Sequence, residues 1–209
     1  LDDLVARIDA PICSLNITFF DQIVFDLPQF VEFIGRTPTL NTPVKAHINL
    51  WNDDVINVNF SSQTISGSRG LRVGILGINL SRQLSSLAQV CTSFMPLLSS
   101  LEDLYIYEHW RLHEKGLVEK KLWLELLHPF AAVENLYISE EFVPCVVSAL
   151  QELVGGRTTE VLPTLQNIFF EGPQPSGHVQ KGIEQFVAAR QVAGHPIAVP
   201  LWDGEMAPG

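Results

Sequence analysis

The apolar positions of the chain fall into a fixed figure through its second half. Leu98-x-x-Leu101-x-x-Leu104-x-Ile106, Phe130-x-x-Val133-x-x-Leu136-x-Ile138 and Leu162-x-x-Leu165-x-x-Ile168-x-Phe170 share one spacing, and equivalent residues lie 32 positions apart. The last two apolar positions of each figure alternate with other residues, the two-residue period of a short strand with one face in a core. Ile12-x-x-Leu15-x-Ile17 repeats the figure more loosely, and the runs 46–50, 71–75 and 197–199 read as further strands. Strand anchors therefore fall near residues 15, 48, 73, 104, 136, 168 and 197.

Between the anchors the apolar spacing turns helical. Ser81 is placed to cap a helix with Leu84, Leu87, Ala88, Cys91, Phe94 and Leu98 on one face. Asp26-Leu27-Pro28-Gln29 resembles a capping box ahead of Phe30, Val31 and Ile34, with Gly35 as a stop. Residues 120–128 form a helix ended by Pro129, Ser139-Glu140-Glu141 leads into another, and Ser176 opens the longest, closed by Gly194. Strand–helix alternation predicts parallel strands with helices packed on them. A doubly wound sheet alternates in the same way, but the constant period and the repeated ladder favour a solenoid.

The expected fold is α/β: an irregular leucine-rich-repeat solenoid over residues 1–202, with about seven parallel strands on the concave face and helices on the convex face. Its irregularity follows from a period longer than the roughly 20–29 residues usual for such repeats. Residues 52–70 read as an irregular insertion or hairpin at the solenoid edge, and 203–209 as a flexible tail.

Alternation also nominates a surface. If Leu104 and Ile106 face the core, Tyr105 and Tyr107 face away, as do Tyr137 and Ser139 on the next strand and Phe169 and Glu171 on the one after. Tyr105, Tyr137 and Phe169 then form an exposed row, either a protein-binding stripe or a ladder that only stabilises the sheet. His47, Asn49 and Trp51 extend this surface if Ile48 and Leu50 face inward. The candidate protein-binding residues are Tyr105, Tyr107, Tyr137, Phe169 and Trp51.

Composition narrows the partner. Apolar residues make up 46% of the chain, enough for a large core, and charged residues only 17%, leaving a neutral surface suited to a protein partner. With 13 Lys and Arg against 23 Asp and Glu, and no basic run, nucleic acid and anionic membranes are excluded as main ligands. No apolar run reaches the length of about 18 residues that a bilayer span needs. Cys13, Cys91 and Cys145 each lie in an apolar setting and read as buried free thiols, placing the chain in the cytoplasm or nucleus. The sequons at Asn16, Asn59 and Asn79 then read as chance matches. A start at Leu1 rather than Met reads as a fragment or as a chain whose front part was removed.

Candidate chemistry is sparse. His109 and His113, four residues apart beside Glu114, have the spacing of a helical zinc pair but lack a third ligand. They are the only basis for an enzyme reading. Gly70, Gly74 and Gly77 match neither a dinucleotide fingerprint nor a phosphate loop, and read as a bulge or a close backbone approach. The acidic pairs Asp2-Asp3, Asp53-Asp54 and Glu140-Glu141 suit helix dipoles. No residue is assigned to catalysis, to a metal or to a cofactor.

Several segments resemble the repeat region of F-box proteins of mushroom-forming fungi. They are 5–11, 15–20, 83–91, 123–130 and 186–191, and the resemblance runs to about Trp202. It implies the target-selecting half of a receptor in an SCF-type ubiquitin ligase, with the Skp adaptor docked on an F-box ahead of Leu1. The F-box itself is absent from these residues. A stand-alone leucine-rich-repeat scaffold or sensor module is the alternative.

Overall fold

The computed structural model describes residues 14–20, 27–50, 55–62, 70–77, 79–108, 119–172 and 175–202. In chain order the elements are β1 (Ser14–Phe20), α1 (Pro28–Arg36), β2 (Lys45–Leu50), β3 (Val55–Ser61), β4 (Gly70–Leu76) and α2 (Leu80–Ser93). A 3-10 turn (Met95–Ser100) leads into β5 (Asp103–Glu108), α3 (Lys120–Leu127), β6 (Asn135–Ile138), α4 (Val143–Gln151), β7 (Asn167–Glu171), α5 (Gly177–Val192) and β8 (Leu201–Trp202).

The fold is α/β, with one open eight-stranded sheet in the order β1-β4-β3-β2-β5-β6-β7-β8. β3 runs antiparallel to both its neighbours, and every other pairing is parallel. The expected stack of sequential parallel strands therefore needs correction in its first half. The segment anticipated as an edge hairpin supplies an internal strand, because Ile56, Val58 and Phe60 form a complete apolar face that is buried. Its insertion between β2 and β4 sends β4 to pair with β1.

From β2 onward the order follows the chain, each strand parallel to the last, and α2, α3, α4 and α5 pack on one another in sequence. The twelve apolar positions of the three repeated figures are all buried. The backbone repeats with them. Glu102 and Asp103 N–H donate to Val44 C=O, Glu134 and Asn135 to Glu102 C=O, and Gln166 and Asn167 to Glu134 C=O.

Local details depart from expectation where short polar side chains compete. Asn79, not Ser81, caps α2: its Oδ1 accepts from Ser81 N at 2.9 Å and Arg82 N at 3.3 Å. Leu27 occupies the α1 cap without a side-chain bond, and Asp26, on which the expected capping box rests, lies outside the described residues. Gly70 and Gly74 do mark close approaches. A Cβ on Gly70, at φ +154°, would lie 2.1 Å from Phe60 O, and one on Gly74 would lie 3.2 Å from Thr18 Oγ1. Cys91 is buried, Cys145 is half-buried, and Cys13 lies outside the described residues.

Candidate interaction surface

All the helices contribute side chains to one continuous core with the inward strand residues. The opposite face of the sheet carries no described helix. Strand alternation and parallel register order its side chains from β2 to β7 into three ladders.

The first ladder is polar. Lys45, Asp103, Asn135 and Asn167 are register partners. Lys45 Nζ lies 3.4 Å from Asp103 Oδ2, Asn135 Nδ2 donates to Asp103 Oδ1 at 2.9 Å, and Asn167 Nδ2 donates to Asn135 Oδ1 at 2.8 Å. The middle ladder is aromatic: His47, Tyr105, Tyr137 and Phe169 stack with centroid separations of 4.5, 4.2 and 4.4 Å and interplanar angles of 10°, 16° and 6°. The third begins with Asn49 and Tyr107, and Ser139, just past the end of β6, and Glu171 on β7 continue it. Across β3 and β4 the face continues through Asn57, Asn59, Arg72 and Gly74.

The orientation expected for Tyr105, Tyr137 and Phe169 holds, but the expected exposure fails at Tyr105. It is only 3% exposed, because rings on both sides cover its faces, whereas Tyr137, Phe169 and Tyr107 are half-buried. Tyr105 therefore belongs to the packing of the ladder, whereas Tyr137 and Phe169, at its β6–β7 end, keep part of their surface exposed. Trp51 lies outside the described residues, as do His109, His113 and Glu114. Trp202 joins the aromatic rings of this face, which sequence reading missed. Its ring meets Tyr137 edge-on at 5.5 Å, reaching across β7 from a strand of only two residues, too short to register as alternation.

Burial sets the protonation of this face. The Tyr105 hydroxyl is held well above the usual phenol range by burial, with Asp103 and Tyr137 adding to the effect. Burial also raises Tyr107 and Tyr137. His47 is lowered to about 4, chiefly by burial and secondarily by Lys45, against an opposing pull from Asp103. It is therefore a neutral ring in the stack at physiological pH. Buried polar atoms without a hydrogen-bond partner gather here: His47 Nδ1, Asn49 Oδ1, Asn57 Nδ2, Asn59 Oδ1 and Ser139 Oγ.

On the helix side, Arg190 is fully buried. Its guanidinium donates to the carbonyls of Thr158, Leu162, Pro163 and Leu165 at 3.0, 3.4, 3.2 and 2.9 Å. Those bonds tie α5 to the turn before β7, where Leu162 adopts φ +51°. An open groove of about 640 Å³ lies beside it, lined by residues 163–167 and 194–198. Four carbonyl acceptors hold its Nη1 and Nη2 as a staple of the fold, and Nε has no hydrogen-bond partner among the described residues. Burial pushes the Cys91 thiol up, which keeps it inert. Among the described residues no group of three His, Cys, Asp or Glu side chains could hold a metal ion, and no helix is long and apolar enough to cross a membrane.

No protein-family model, curated protein or solved structure matches the chain.

Proposed function

We propose that the chain is a protein-binding repeat domain that receives its partner on the helix-free face of the sheet, across the β6–β7 end of the aromatic ladder. The observation that carries this reading is the conjunction of a 32-residue repeat with a row of aromatic rings on a face that no described helix covers. Ring edges flanked by Asn and Asp side chains combine apolar contact with hydrogen bonding, the composition that anchors protein interfaces.

The part from β2 to β8 is read as a short leucine-rich-repeat array, and the meander of β2, β3 and β4 as its irregular start. The F-box resemblance extends the proposal. The domain is the target-selecting part of an SCF-type ubiquitin ligase receptor in the cytoplasm or nucleus, the Skp adaptor being held by an F-box elsewhere in the parent protein. The role is binding, without catalysis or a cofactor.

Affinity purification of the tagged parent protein from its own cells, followed by mass spectrometry, tests the ligase reading. Recovery of a Skp adaptor and a cullin is the expected result. A stable partner without either would leave the binding role and remove the ligase. No protein captured on this face would remove both.

A further inference from the structure

Two ends of the aromatic ladder can be compared. At the β2–β5 end, an aromatic ring and a carboxylate share a cation from the chain itself: Lys45 Nζ lies 3.4 Å from Asp103 Oδ2 and 5.9 Å from the centroid of Tyr105. At the β6–β7 end, the same two kinds of group recur. Tyr137 and Trp202 meet at 71°, making a two-walled aromatic corner, and both are half-buried rather than covered. Glu171 is the register partner of Trp202. Glu140, two residues past the end of β6, brings its carboxylate to the end of β7: a Cβ on Gly172, the residue after Glu171, would lie 3.5 Å from Glu140 Oε2. Among the described residues no lysine or arginine forms an ion pair with Glu140 or Glu171.

A second, independent observation marks the same spot. Ser139 is 2% exposed and its Oγ has no hydrogen-bond partner. It sits one step beyond Ile138, whose register partners are Ile106 and Phe170. Its side chain, next in the alternation after Tyr137, therefore shares the helix-free face with Tyr137 and Glu171. A hydroxyl oxygen left without a donor on the face that carries these rings and Glu171 calls for a ligand that supplies N–H groups and positive charge.

From this geometry we infer that the corner formed by Tyr137, Trp202, Ser139, Glu171 and Glu140 receives a lysine or arginine side chain of a basic peptide segment of the partner. The cation lies against the rings as Lys45 lies against Tyr105, and its N–H groups reach Glu171, Glu140 and Ser139. Charge complementarity supports the assignment, since the chain carries a formal net charge of -10. Repulsion points the same way. Burial first, then the charges of Glu141 and Glu140, raise the Glu171 carboxyl above its ordinary value, a cost that an incoming cation relieves. The inference rests on the reading of this face as a protein-binding surface and specifies what the partner presents to it.

The probes are hexalysine and its fully Nε-acetylated counterpart, titrated calorimetrically into the full chain. The site variant is Glu140→Gln with Glu171→Gln. The control, Glu125→Gln with Glu152→Gln, makes the same charge change on α3 and just beyond α4, on the helix side. Hexalysine is expected to bind the parent chain and the control variant within about twofold of each other, to lose about tenfold in affinity to the site variant, and to need its free amines. Equal losses in both variants, binding of the acetylated peptide, or no binding of hexalysine would each overturn the inference. Partner capture by the full-length protein is read separately. Capture that survives Glu140→Gln with Glu171→Gln removes this site and keeps the face, whereas site-dependent hexalysine binding with no captured protein removes the functional reading and keeps the site.

Discussion

Between β1 and β4 the chain turns back on strands it has already laid, whereas after β5 each strand is laid beside the one before it. The first region is held by a meander whose middle strand is antiparallel, and the second by a repeated set of backbone bonds, buried positions and side-chain ladders. The difference lies in where specificity is stored. In the repeated region any one figure predicts the next, and side chains of one type stack across strands. In the meander each strand depends on a particular local device, such as the approach of Gly70 to Phe60 or the bond between Asn49 Nδ2 and Asn57 Oδ1 at 3.2 Å.

The largest effect is expected in the repeated region. Leu136 is fully buried on β6 among helix and strand neighbours, so Leu136→Ala should cost about 2–5 kcal/mol through lost burial and a residual cavity. Urea unfolding measures it. Because the core is one cluster across both regions, a single transition shifted to lower urea is expected, and separate melting of β5–β8 would break the comparison into two folding units. On the other side, Gly70→Ala places a methyl group 2.1 Å from a carbonyl oxygen at a φ that L residues avoid. A loss of about 3 kcal/mol is expected, read by the same unfolding curve.

His47 stands on β2, the strand that the two regions share. Its folded value of about 4 lies below the ordinary 6.5, so the unfolded chain takes up the proton first. The stability from the neutral buried ring is therefore complete above pH 6.5 and is lost as pH falls towards 4, by no more than about 3 kcal/mol. Unfolding free energies measured across that window should fall for the native chain and stay flatter for His47→Gln. Equal slopes would place the acid sensitivity elsewhere. A smaller effect separates two members of one ladder. Asn135 both donates to Asp103 and accepts from Asn167, whereas Asn167 Nδ2 makes one ladder bond. Asn135→Ala should cost about 1–2 kcal/mol and Asn167→Ala about half that.

Much of the repeated region was legible in sequence, and the meander was not, for physical reasons. Leu104, Leu136 and Ile168 announce themselves because each has the same inward role at the same spacing. Strand alternation then placed Tyr105, Tyr137 and Phe169 on the opposite face. Alternation carries no information about what covers a side chain, which is why Tyr105, sandwiched between His47 and Tyr137, differs from its expected exposure. The residues 55–60 were legible as a strand, but pairing order is decided by long-range contacts that no local pattern encodes. Trp202 and Arg190 escaped for another reason. Each acts through reach, Trp202 across β7 to Tyr137 and Arg190 across the turn before β7, and side-chain reach leaves no period in a sequence.

The most direct test of the binding face is site-specific photo-crosslinking in the full-length protein. A benzophenone amino acid replaces Phe169 in the aromatic ladder or, as the control, Lys121 on the exposed side of α3. If partners dock on the helix-free face, irradiation in cells joins the same protein reproducibly at position 169 and leaves position 121 unlinked. Crosslinking at 121 with none at 169, in a variant that folds as the parent does, would contradict the account.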